Sequence, residues 1–201
     1  MTITETAESP AESHGVPLLT AHIADPNRDM DDVARVLNSA AQWLTEQGID
    51  QWPASFDEDG GWRLDKLRDE AQRGHVFLLT WGQGQGRIPL ATATVTDWAD
   101  PDFAQAWPDG PRNALYLMRL AVTPAARTLA RKYGRPGLGE MLINIAKDNV
   151  RYSGRRYLRL DCSRENTKLH AYYERLGFVR VGTVEVGTRR SGALYQLDTV
   201  A

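Results

Sequence analysis

Residues 134–142 read GRPGLGEML: three glycines, at 134, 137 and 139, run straight into an apolar helical period. Few local patterns restrict a fold as tightly. A glycine-rich turn feeding a helix lets the backbone come close to whatever lies before it. It also leaves N–H groups without internal partners at the positive end of the helix dipole, which suits a phosphate. Two common phosphate turns do not fit. A nucleotide P-loop requires Lys and then Ser or Thr after its last glycine, whereas Glu140 and Met141 follow Gly139. The dinucleotide fingerprint G-x-G-x-x-G has the opposite spacing to the G-x-x-G-x-G found here, and the early βαβ unit it needs is missing.

Hydrophobic periodicity organises the rest. VPLLTAHIA reads as a strand, and DMDDVARVLNSAAQWLTEQG as a helix with Val33, Val36, Leu37, Ala40, Ala41 and Leu44 on one face. A loop, IDQWPASFDEDGG, precedes a second helix, WRLDKLRDEAQRG. HVFLLTW and IPLATATVTDW are β-rich runs joined by a hairpin turn, GQGQGR, and ALYLMRLAV is a further strand. Leu138, Met141, Leu142, Ile145 and Ala146 form one helical face, with Pro136 in its first turn and Gly154 at its exit. YLRLDC alternates as a strand, residues 167–176 form a helix ended by Gly177, and FVRVGTVEV and ALYQLD close the chain. The predicted order is β-α-α-β-β-β-α-β-α-β-β, an α/β fold with a mixed, largely antiparallel sheet flanked by helices. TPAARTLARKY reads as a long connection.

Composition excludes several classes of function. Lys and Arg number 24 against 26 Asp and Glu, for a formal charge of −2, so a broadly basic nucleic-acid binder is not indicated. No run approaches a membrane span, and the N-terminus lacks the charged and apolar regions of a leader. Cys162 is the single cysteine, which rules out an internal disulfide and a CxxC metal site and fits a cytoplasmic protein. Residues 1–14 read as a disordered tail, followed by one domain over 15–201.

The run from Leu120 to Phe178 resembles the GNAT superfamily of N-acetyltransferases. Its signature, Q/R-x-x-G-x-G/A between a strand and a long helix, is met by Gly137, Leu138 and Gly139, and departs at Gly134, where the family has Gln or Arg. Arg135 stands one residue later, with Arg131 and Lys132 upstream. A second block, ENTKLHAYYERLGF, is similar to the family's N-x-x-A-x-x-x-Y-E-x-x-G-F helix at Asn166, Tyr173, Glu174, Gly177 and Phe178. The resemblance implies acetyl-CoA as cosubstrate, no metal, and transfer of acetyl to an amine, with a small-molecule amine as partner; family members are often homodimers. It also implies a cofactor site made by Leu120, Ala121, Val122, Arg135, Gly137, Leu138, Gly139, Asn166 and Tyr173. The runner-up is a non-catalytic acyl-CoA sensor or interaction module.

Acetyl transfer to an amine whose pKa is about 10 needs a base, a polarising N–H and an acid for the leaving thiolate. By the resemblance Tyr173 is the acid; by spacing alone, Tyr172 and Tyr173 both fit the core stripe of their helix. Asn166 reads equally as a helix cap or as a hydrogen-bond partner of the CoA arm. Cys162 alternates with leucines as an inert buried thiol, which favours direct transfer over a ping-pong route. Asp97, at the end of the third strand, is the candidate base, with a water chain as the alternative. All six tryptophans precede residue 110, and Trp52 is expected nearest the acceptor. The loop acids Asp57, Glu58, Asp59, Asp97, Asp100, Asp102 and Asp109 suggest a field that favours a cationic amine.

Overall fold

A computed structural model describes residues 19–52, 55–56, 62–82, 84–132 and 137–200. The expected tail, Asp57, Glu58, Asp59, Gly134, Arg135 and Pro136 lie outside the described residues. The strands are β1 (Leu19–Ile23), β2 (Val76–Trp81), β3 (Ile88–Thr96), β4 (Ala114–Val122), β5 (Tyr157–Ser163), β6 (Val179–Thr183) and β7 (Ser191–Asp198). The helices are α1 (Met30–Glu46), α2 (Trp62–Gln72), α3 (Pro124–Lys132), α4 (Leu138–Tyr152) and α5 (Thr167–Arg175). One element differs in kind from the expectation: TPAARTLARKY is not a bare connection but contains α3. At nine residues it is too short for its period to stand out in the sequence, yet its Ala126 is fully buried and Pro124 occupies its first position.

The seven strands form one sheet in the order β1-β2-β3-β4-β5-β7-β6. Every pairing is antiparallel except β4 with β5, so the predicted mixed, largely antiparallel α/β sheet is present. The helix α1 buries the face read from its period, Val33, Val36, Leu37, Ala40 and Ala41, and packs on β3 and β4. It stops where Gly48 takes φ 69°. On the opposite face α4 buries Leu142, Ile143, Ala146 and Val150 against β3, β4 and β5. Each face therefore has its own apolar core, and Tyr173 belongs to the α4 side. Among the described residues no helix is long and apolar enough to cross a membrane.

Two irregularities open the centre of the sheet. The parallel pairing of β4 and β5 is confined to Ala114–Tyr116 against Tyr157–Arg159, after which the strands are no longer partners. In the β3–β4 pairing, Thr92 opposes Ala121 and Thr94 opposes Met118, so Arg119 and Leu120 together face Ala93. Arg119 accommodates this bulge with φ 50°, and the bulge turns the end of β4 away from β5. The result is a fork between two central strands.

Candidate active site

Beyond the fork lies a cleft of about 450 Å³. Leu120, Ala121 and Val122 line it from β4, Gly137, Leu138 and Gly139 from the start of α4, and Asn166, Tyr172 and Tyr173 from α5. Trp43, Gln51 and Trp52, at and after the end of α1, form the opposite wall, and Arg127 and Lys168 flank it. The predicted cofactor residues thus converge, apart from Arg135, which lies outside the described residues.

Three features dispose this cleft toward an acylated, anionic ligand. Past Tyr116, β4 keeps β3 on one side and has no strand on the other among the described residues, so main-chain donors and acceptors of residues 120–122 border the cleft. Second, Gly137 begins α4 without a side-chain cap, and the first main-chain bond runs from Met141 N–H to Gly137 O. The preceding N–H groups of that turn have no acceptor inside the helix. Third, Arg127 and Lys168 line the cleft while no Asp or Glu does among the described residues. Glycine at 139 has a spatial reason: a Cβ there would stand 2.7 Å from the Tyr172 hydroxyl and 3.6 Å from Val122 Cγ2.

Asn166 caps α5, its Oδ1 accepting from Leu169 N–H at 3.1 Å, while its Nδ2 donates to Gln51 Oε1 at 3.3 Å across the cleft. The cap is therefore real, and the amide nitrogen points toward the ligand space. Tyr173 packs its ring against Phe178 and Tyr195, with centroids 5.6 and 6.1 Å away. Burial, reinforced by neighbouring Cys162, Tyr172 and Asp161, pushes its phenol up, so the group keeps its proton at neutral pH. Tyr172 lines the cleft as well, so both residues of the pair serve as wall and core. Burial likewise pushes the Cys162 thiol up to about 12, which leaves no thiolate for a covalent route.

Asp97 is a correction. β3 meets Val122 at Ala91 and meets Tyr116 at Thr96, so Asp97 lies at the far end of the strand, roughly 20 Å from the cleft end. Its carboxylate is paired there with Arg155 at 3.2 Å. The other loop acids among the described residues are paired as well. Asp100 and Asp102 pair with Arg189 at 2.9 and 2.7 Å, and Asp109 pairs with the fully buried Arg159. The arginines come from the C-terminal half, so the sequence run alone cannot show that these acids are neutralised. Of the tryptophans, Trp52 does reach the cleft, edge-on to Phe56 at 5.5 Å, and Trp43 reaches it beneath Arg127, 4.0 Å from the ring. Trp81 and Trp107 are core, and Trp62 and Trp98 are exposed.

The sequence profile of the Acetyltransferase (GNAT) family matches residues 37–178. The chain belongs to this family, and it is an N-acetyltransferase. An "Uncharacterized N-acetyltransferase YesJ" of Bacillus subtilis (strain 168) is 25% identical over 154 residues, which cover 77% of this chain and 78% of the relative. A GNAT-family acetyltransferase of Listeria monocytogenes 4b F2365 superposes with a TM-score of 0.65 at 20% identity, over 90% of this chain and 94% of the other. A Salmonella typhimurium structure, "yncA, a putative ACETYLTRANSFERASE", was solved with its cofactor acetyl-CoA. It superposes with a TM-score of 0.59 at 16% identity, covering 90% and 94% of the two chains. Among the described residues no group of three or more His, Cys, Asp or Glu side chains could hold a metal ion.

Proposed function

We propose that this N-acetyltransferase binds acetyl-CoA in the cleft and transfers the acetyl group to the primary amine of a small molecule. The observation that carries this reading is the convergence of main-chain donors from the start of α4 and the end of β4 on one cleft that no carboxylate lines among the described residues. The N–H groups at Leu138 and Gly139 hold the diphosphate, aided by Arg127 and Lys168. Leu120, Ala121 and Val122 orient the pantetheine arm by strand-like pairing, and the Asn166 amide supports it. The bound cosubstrate supplies an acetyl group activated as a thioester.

The protein's own groups do the rest. A main-chain N–H at the end of β4 polarises the carbonyl. Tyr173, a phenol that is protonated at neutral pH, gives its proton to the departing sulfur. Trp43 and Trp52, across the cleft from β4, shape a confined space for the acceptor, which supports a small molecule over a protein chain. Transfer is direct, because Cys162 stays a thiol. Incubation with acetyl-CoA and an amine library, with detection of released thiol, tests the proposal. Sustained thiol release with particular amines is expected. Thermal stabilisation by acetyl-CoA with no release from any amine supports the sensor reading instead.

A further inference from the structure

The acetyl-transfer reading leaves one proton without a route. No Asp, Glu or His lines the cleft among the described residues, and Asp97 stands at the far end of β3. The chemistry nevertheless needs an acceptor for the proton that an ammonium must lose before its nitrogen can attack.

The fork supplies one on its other face. Along β5, Leu158, Leu160 and Cys162 pack with Tyr173 in the core on the α4 side, so Arg159, Asp161 and Ser163 belong to the opposite face. Arg159 is consumed there by Asp109, Gly110 O and Gln196. Asp161 is not. Its side-chain hydrogen bond is to Ser191, and the nearest cation, Arg189, is already shared by Asp100 and Asp102. The parallel register, carried two residues past Tyr116–Arg159, puts Asp161 level with Met118, just beyond the last pair of the two strands. Both residues line a small cavity of about 10 Å³ in the fork, together with Leu117, Leu160 and Asp100, which is room for one water. The acetyl-bearing end of β4 begins two residues further on, at Leu120.

We propose that Asp161, acting directly or through one water in the fork, is the general base that takes the proton from the acceptor amine. Base and acid then stand on opposite faces of the sheet, the amine entering on the Asp161 side and the sulfur leaving toward Tyr173. Asp161 accepts one proton from the ammonium and frees the nitrogen lone pair. The nitrogen forms its bond to the carbonyl carbon as the carbon–sulfur bond breaks, and Tyr173 protonates the sulfur. The amide nitrogen sheds its second proton, Asp161 releases the first to solvent and Tyr173 is reprotonated, so that one proton leaves in total. Burial pushes the Asp161 carboxyl up, Ser191 and Arg189 oppose that rise and Asp100 adds to it, so the group titrates above the ordinary aspartate range. Tyr116 lines the same small cavity, and Tyr173 and Cys162 are titratable neighbours from the other face.

The inference rests on acetyl transfer at this cleft, and the test separates the two. Asp161→Asn, and Asp161→Ser in case the first variant does not fold, are compared with wild type using an alkylamine substrate from the library and methoxyamine, which is neutral at pH 7. With the alkylamine, kcat is expected to fall about 100-fold or more. The acid limb of the wild-type pH profile should be replaced by a rate that climbs with pH, while the acetyl-CoA Kd stays within about twofold. With methoxyamine the variants should approach wild type. Wild-type turnover of the alkylamine by a folded variant, or an equal loss with both amines, overturns the role of Asp161. Failure of the wild type to bind acetyl-CoA overturns the acetyl-transfer reading itself.

Discussion

The two ends of β4 solve opposite problems. At its start, Ala114 and Leu115 pair with β5 and Tyr116 pairs with both β3 and β5, and the charges around this end are satisfied within the protein: Arg159 by Asp109, Gly110 O and Gln196, and Arg155 by Asp97. At its end, one side of Leu120–Val122 has no strand partner among the described residues, and the facing helix begins without a side-chain cap. On the proposed reading the same strand is scaffold at one end and binding surface at the other. What separates them is where polar groups find their partners, since buried main-chain groups are normally satisfied inside a fold and these wait for a ligand.

If that contrast is sound, substitutions at the closed end should change stability and leave binding alone, and those at the open end should do the reverse. The largest effect is expected for Arg159→Ala, which empties a fully buried site and strands the Gly110 carbonyl and Gln196. Urea unfolding should show a loss of about 3 kcal/mol, with acetyl-CoA affinity of the folded protein unchanged. A comparable effect of opposite kind is expected from Tyr173→Phe: kcat about 100-fold lower by thiol-release kinetics, with acetyl-CoA Kd within about twofold. An unchanged kcat would move the acid role to another residue. Asn166→Ala removes a cap at the open end and should cost about 1 kcal/mol in thermal unfolding while weakening acetyl-CoA binding, a combination no closed-end variant should give. The smallest effect belongs to Asp97→Asn. Breaking this exposed pair with Arg155 should cost under about 1 kcal/mol and leave kcat unaltered, and a large fall in kcat would return the base role to Asp97.

The readability of this site from sequence follows the same divide. Features set by local chemistry could be read directly: the periodic faces of α1 and α4, the start of α4 at Gly137–Gly139, the Asn166 cap and the alternation of β5. Features set by pairing across the sheet could not. Asp97, the residue after β3, and Asp161, within β5, have nothing local to separate them as candidates. Only the register, with Thr96 against Tyr116 and Asp161 just past the last β4–β5 pair, shows that one lies at the closed end and the other in the fork. The acidic run through Asp100, Asp102 and Asp109 looked like an open field because Arg159 and Arg189 are remote in sequence. Helix α3 escaped notice because its nine residues make only about two and a half turns and its apolar positions are mostly small alanines, and the bulge at Arg119 carries no glycine to announce it.

The account depends most on the main-chain donors at the start of α4. Isothermal titration of wild type and Gly139→Val with acetyl-CoA addresses them directly, because the added side chain meets the Tyr172 hydroxyl and Val122 at the mouth of that turn. The account predicts saturable one-to-one binding to wild type and a loss of at least about tenfold in the folded variant. Binding of equal strength to both proteins, or none to wild type, would contradict it.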